Sequence, residues 1–181
     1  SEEQRRAYRE LLLTTPNLNQ HISGAILFDE TLRQSTRAGV PFAQLMMDNG
    51  IIPGIKVDRG THALAGFPPE VLMDGDHDIE TCYEVTEVTL RSLFDALYQQ
   101  NVMLEGTILK ASMVVSGKGC EEQASVEEVA ESTLICLKST VPAIMPGIVF
   151  LSGGQSDEDA TAHLNAMNQL GPNPWPLSFS Y

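Results

Sequence analysis

The feature that most narrows what this chain can fold into is an alternation in its second half. An aliphatic run, "LEGTILKASMVV" (104–115), precedes "SVEEVAESTLICLKSTV" (125–141), in which Ser125 and Glu128 are spaced as an S-x-x-E capping box ahead of Val129, Leu134 and Leu137. A second run, "GIVFLSGG" (147–154), precedes "SDEDATAHLNAMNQLG" (156–171), a helix with Ser156 and Asp159 at its start and Gly171 at its stop. A third run, "WPLSFSY", follows. Strands with few polar residues, separated by amphipathic helices, predict parallel strands covered by helices.

The first half has the same rhythm. "SEEQRRAYRELLL" reads as a helix with Ser1 and Gln4 in capping-box positions and Tyr8, Leu11 and Leu12 on one face. "ISGAILFDE" and "IIPGIKVD" read as buried strands, separated by a helix, "PFAQLMMDNG", that ends at Asn49-Gly50. "RGTHALAGFPPEVLMDGDHD" has little periodicity over about twenty residues, which is unusual inside a compact domain. From Asp78 onward, Val85, Leu90, Leu93, Phe94 and Leu97 recur at helical spacing.

Two α/β architectures fit, an open doubly wound sheet and a (β/α)8 barrel. The open sheet usually carries a glycine-rich phosphate loop after its first strand, and no G-x-G-x-x-G or Walker sequence is present. A barrel places its chemistry at the C-terminal ends of its strands, where Lys56, Lys110 and "SGG" fall, so the barrel is preferred. A complete barrel takes about 250 residues, and this chain has 181.

Composition removes some functions. The formal charge of −13 argues against a nucleic-acid or anionic-membrane partner, although a small anion needs only a local set of donors. No apolar run approaches the roughly 18 residues that span a bilayer, and no signal peptide opens the chain, so a soluble protein is expected. Cys82, Cys120 and Cys136 have an odd count and no zinc-type spacing. Free thiols in a reducing, cytoplasmic compartment are the expectation.

Lys110 is the sharpest chemical signal, because the chain has only four lysines and this one interrupts an aliphatic strand. Desolvation would favour a neutral amine able to attack a carbonyl and form a Schiff base. The plainer reading is a lysine that snorkels from a strand end or pairs with Glu105. Lys56 in "GIKVD" poses the same choice, between a second active-site cation and a pair with Asp58. Ser152-Gly153-Gly154 ends a strand before a capped helix, where backbone N–H groups can meet a phosphate; a tight loop that merely needs glycine explains it equally well. "DGDHDIE" fails the calcium pattern, since Ile79 stands where glycine is required and Val85 where glutamate is, and it reads as a loop and helix cap with no metal. His21, His62, His77 and His163 lack triad or metal context and read as surface or packing residues, as Met46, Met47 and Trp175 read as packing.

Beyond these readings, the blocks "YRELLLTTP", "ISGAILFDETL", "IIPGIKVDRG", "PEVLMDGDHD", "LEGTILKASMVV", "VPAIMPGIVFLSGGQSDEDATAHLNAMNQLGPNPW" and "LSFSY" resemble the class I fructose-bisphosphate aldolases. The resemblance implies a (β/α)8 barrel, a homotetramer, and reversible cleavage of fructose 1,6-bisphosphate to dihydroxyacetone phosphate and glyceraldehyde 3-phosphate, without metal or other cofactor. Lys110 matches the Schiff-base lysine and Lys56 the active-site lysine of the third strand. Ser152 and Gly153 match the phosphate site after the seventh strand. Glu70 matches the second glutamate of a Glu-Pro-Glu motif that helps position the lysine and the proton-transfer groups.

Pieces of the family pattern have no counterpart. These are the first strand with its aspartate, the fourth with its lysine and arginine, most of the fifth, and the phosphate-binding Gly-Arg beyond Tyr181. Pro68 stands where the first glutamate of Glu-Pro-Glu belongs. Residues 68 and 69 then mark a junction of discontinuous segments within one barrel domain. The chain is either the ordered parts of a longer enzyme read end to end, a genuine deletion, or an incomplete chain. The first is preferred, because a barrel lacking two strands would expose apolar faces and unpaired edges. A catalytically inactive binding or assembly module, and another phosphosugar barrel enzyme, are the competing functions.

Overall fold

The computed structural model describes residues 1–57 and 75–180. They fall in two compact units, Ser1–His62 and Ala63–Tyr181. The junction expected at 68–69, with Pro68 and Glu70, lies outside the described residues.

In the first unit, α1 (Glu2–Leu13) opens with the expected box: the Ser1 hydroxyl accepts from the Gln4 N–H, and the terminal ammonium donates to Gln4 Oε1 at 2.8 Å. Two donors that a helix start otherwise leaves unpaired are thereby satisfied. Strand β1 (Gly24–Leu27) pairs in parallel with β2 (Ile52–Ile55), Gly24 opposite Ile52. A Cβ at Gly24 would stand 3.0 Å from the Ile52 carbonyl oxygen, so glycine permits this close approach. The crossover contains one helical turn, α2 (Asp29–Leu32), and α3 (Phe42–Asp48), which stops where the Asn-Gly pair predicts, with Gly50 at φ +73°. Leu13, Leu27, Phe42, Met46 and Ile51 form its core. Arg5 and Arg9 on α1 both reach Glu30 on α2, at 2.6 and 2.9 Å. The stripe Tyr8, Leu11 and Leu12 is exposed.

The second unit is a run of βα repeats preceded by α4 (Ile79–Gln99), whose cap is Asp78 accepting from the Thr81 N–H. Strands β3 (Leu109–Ala111), β4 (Ile148–Phe150) and β5 (Leu177–Phe179) form a parallel sheet in that order. They are joined by α5 (Val126–Thr140) and α6 (Asp157–Gln169). The capping box of Ser125 and Glu128 is formed, as is the Ser156 cap on Asp159. Phe150, Ile148, Cys136, Met167 and Ala130 are wholly buried, and Trp175 is buried with its indole N–H on the Pro142 carbonyl at 2.9 Å.

The strands are shorter than the sequence suggests, and the reason is local competition for hydrogen bonds. Leu104–Gly106 forms a 3-10 turn, and Thr107 bonds back through its N–H to Leu104 and its hydroxyl to Met103. Beyond Ala111, the Val114 N–H donates to Thr133 Oγ1 on α5 and the Val115 N–H to Cys82 Sγ on α4. Groups that would extend a ladder are thus used by helices.

Register divides the sheet into two faces. Leu109, Ile148 and Leu177 lie in one cross-strand row and all three are buried. The next row is Lys110, Val149 and Ser178, of which the first and last are exposed and Val149 is half-buried. One face is covered and the other is open. No helix among the described residues is long and apolar enough to cross a membrane.

Candidate active site

Alternation along β3 sends Leu109 into the core and Lys110 to the open face, with Ser112 two residues on and also exposed. The burial expected for Lys110 is therefore corrected: its neighbours in sequence are apolar because they serve the covered face, not because the lysine shares it. It makes no hydrogen bond or ion pair among the described residues, so the alternative pairing with Glu105 is not formed. The amine stands on the side of the sheet that no described element of its own unit covers.

The second signal sits beside it. The β4 strand ends at Phe150 and the chain turns through Ser152, Gly153 and Gly154, with the Gln155 N–H closing on the Ser152 carbonyl at 3.0 Å. Gly153 and Gly154 have φ of +62° and +92°, a left-handed conformation that side chains rarely adopt. A Cβ on Gly153 would lie 3.7 Å from Ser112 Oγ, so the glycine turn abuts the segment that carries Lys110. Among the described residues, the N–H groups of Ser152, Gly153 and Gly154 donate to no partner. The start of α6 is already occupied by Ser156 and by Asp157, Glu158 and Asp159, so the N–H groups open to an anion are those of the turn, not of the helix end.

A third layer holds the turn. Gln155 is half-buried, and its side-chain NH2 donates to the Ser152 carbonyl at 2.9 Å and toward Met113 Sδ at 3.6 Å. Its Oε1 lies 2.6 Å from Nδ1 of His163, a buried side chain on α6. Because the amide NH2 faces the carbonyl, Oε1 must accept, and Nδ1 of His163 carries the proton. Burial pushes the imidazole below its ordinary pKa, with the Asp159 carboxylate opposing. The sequence treats His163 as surface or packing; it is packed, but it is also hydrogen-bonded to the turn. The available signal was the glutamine directly after Ser-Gly-Gly, eight residues before the histidine.

Lys110, Ser152 and Gly153 are thus brought to the C-terminal ends of adjacent strands in one unit. Lys56 follows β2 in the other unit; it is exposed, and its N–H donates to the Leu27 carbonyl at 3.0 Å. Glu70 lies outside the described residues. Among those residues no group of three or more His, Cys, Asp or Glu is placed to hold a metal, and Asp78 serves as a helix cap.

Comparison with known proteins gives the family. The family described as fructose-bisphosphate aldolase class-I matches residues 1–68 and 67–181. A probable fructose-bisphosphate aldolase class 1 of Xanthomonas campestris pv. campestris is 59% identical over 249 aligned positions, covering 100% of this chain and 75% of that protein. The chloroplastic fructose-bisphosphate aldolase 3 of Arabidopsis thaliana is 41% identical, covering 100% of this chain and 63% of that one. Among solved structures, the fructose-bisphosphate aldolase of Plasmodium falciparum, crystallised with TRAP and a small-molecule inhibitor, superimposes with a TM-score of 0.81 at 35% identity. The match covers 100% of this chain and 72% of that one, and it identifies the parallel strand-helix repeats as parts of a TIM barrel of the aldolase type. By the family match over its whole length and by these relatives, the chain belongs to the class I fructose-bisphosphate aldolase family.

Proposed function

We propose that this chain is a lyase that cleaves fructose 1,6-bisphosphate to dihydroxyacetone phosphate and glyceraldehyde 3-phosphate through an iminium on Lys110, and runs the reverse condensation. The observation that carries the proposal is a primary amine on the open sheet face, beside a turn whose N–H groups donate to no partner among the described residues. The neutral amine of Lys110 attacks the ketone carbon and water leaves, forming the iminium. When the C3–C4 bond breaks, its electron pair forms a C2=C3 bond while the C=N pair moves onto nitrogen, giving an enamine, and the C4 hydroxyl loses its proton as the aldehyde departs. Protonation of the enamine at C3 and hydrolysis return the lysine. No metal enters these steps.

Ser152 and Gly153 hold a phosphate through backbone N–H groups, and Lys56 supplies a second cationic contact to the substrate. Glu70 positions the lysine and the groups that move protons. Pro68 carries no ionisable group, so it cannot take the proton-transfer role of the first glutamate.

The open face supports the reading that intervening barrel segments are absent at 68–69. Parallel sheets are covered on both sides, yet Ile26, Ile52 and Ile108 are 49%, 69% and 52% exposed. The family match also divides at residues 67–68. A mass near that of the 181-residue chain, measured on the purified polypeptide, would establish a true deletion and favour the inactive binding module. The exposed stripe Tyr8, Leu11 and Leu12 on α1 supports assembly as a homotetramer, and three free cysteines support a reducing, cytoplasmic setting.

Borohydride reduction with dihydroxyacetone phosphate tests the mechanism on the intact enzyme. Mass attached at Lys110 is the expected result. Activity persisting in Lys110→Met would instead favour a phosphosugar enzyme whose lysines only bind.

A further inference from the structure

The hydrogen bonds of Gln155 have a direction, and the direction has a consequence for binding. Its side-chain NH2 and its backbone N–H both close on the Ser152 carbonyl, at 2.9 and 3.0 Å. With that oxygen engaged from the protein side, the Ser152–Gly153 peptide is held by its carbonyl end, and its N–H end is left to face outward. Gln155 can hold this orientation only while its own Oε1 has a donor. The donor is Nδ1 of His163 at 2.6 Å, on a helix whose register is fixed by the buried residues Ala160, Leu164 and Met167. The same NH2 reaches Met113 Sδ, three residues after Lys110, so the clamp references the turn to the strand that carries the amine.

We infer that His163 and Gln155 are positioning residues that lock the Ser152–Gly153 peptide in its phosphate-accepting orientation, without themselves touching substrate. This rests on the reading of the glycine turn as a phosphate site. The two chemistries are separable, because the iminium forms at the carbonyl while the turn senses only the phosphate. Losing the His163 donor leaves Gln155 Oε1 unpaired, the amide is free to rotate, and the turn samples orientations that do not bind. An N–H donor at the same place restores the bond whatever the ring chemistry.

The test is borohydride trapping at Lys110 of the full chain, with dihydroxyacetone phosphate compared with dihydroxyacetone. His163→Leu is expected to raise half-saturation for the phosphorylated probe about fivefold to tenfold. Trapping of the unphosphorylated probe should stay within about twofold, and His163→Asn, which keeps a donor, should return the phosphorylated probe to the parental value. Gln155→Met, similar in length but without the amide, should reproduce the leucine variant even if that variant folds poorly. Gly153→Ala serves as the control for the turn itself. If it weakens the phosphorylated probe while His163→Leu and Gln155→Met do not, the clamp is overturned and the phosphate site stands. If none of the three changes that probe, the phosphate reading fails and the clamp with it. Equal loss for both probes without recovery in His163→Asn also overturns the clamp, because it marks general damage.

Discussion

The two units use one grammar and differ in how much of it they bury. In Ser1–His62 the β1–β2 pair has Ile26 and Ile52 exposed, and five residues make the core. In Ala63–Tyr181 the β3–β4–β5 sheet has a central strand whose Ile148 and Phe150 are wholly buried beneath α5 and α6. A strand flanked on both edges and covered by two helices has its side chains fixed from several directions; one at a sheet edge does not. The lysines differ in their neighbours, since both follow or lie on edge strands: Lys110 is within β3, next to the segment that abuts the structured glycine turn, whereas Lys56 comes after the end of β2. On the proposed mechanism, the amine that must be held in place is the one beside the glycine turn, and the contact from Lys56 needs only charge.

The sharpest way to break this comparison is to exchange the lysines' importance. Lys110→Met should lower the cleavage rate by about a thousandfold or more, since the covalent step is lost, as read by turnover and by absence of borohydride labelling. If Lys56→Met matched that loss, the division of labour would be wrong. The core substitutions come next: Phe150→Ala should destabilise its unit by about 3–5 kcal/mol in urea unfolding. Phe42→Ala, also wholly buried, should fall at the lower end of that range because its small core can collapse around the gap. For Lys56→Met itself the expectation is a rise in KM of about tenfold with kcat little changed, the signature of a lost charged hydrogen bond. Ser125→Ala removes the α5 cap and should lower stability by about 1 kcal/mol.

The smallest effect separates the units by pH. His163 has a lowered pKa in the fold, so above the ordinary histidine value of 6.5 its contribution is intact, and it is lost as pH falls below that value and the unfolded chain takes up a proton first. Glu30 is held down to about 2 by hydrogen bonds from Arg5 and Arg9. Its contribution is present above the ordinary carboxylate range and disappears only as pH falls toward 2. Probes of the second unit should therefore begin to soften at higher pH than probes of the first, seen by hydrogen exchange across a pH series. Simultaneous softening would erase the distinction.

Much of this was legible in the chain. The helix starts at Ser1, Asp78, Ser125 and Ser156 followed from short-range hydrogen bonding, which sequence spacing encodes directly. The parallel α/β class followed from apolar runs between amphipathic helices. Strand lengths did not follow, because Thr133 and Cys82 take the N–H groups of Val114 and Val115 across separations of 19 and 33 residues. Nor did the exposure of Lys110, since a run of aliphatic neighbours does not say which face of a sheet is covered.

By itself, then, the sequence determined where helices start and which runs become strands, and it singled out one lysine and one glycine turn as candidates, because those depend on neighbours a few residues away. Only the tertiary structure decided that Lys110 looks out from an open face and that Ser112 lies against Gly153. It also decided that His163 reaches back through Gln155 to the turn. These are outcomes of strand register and helix packing, in which distant residues settle which side of each element is covered.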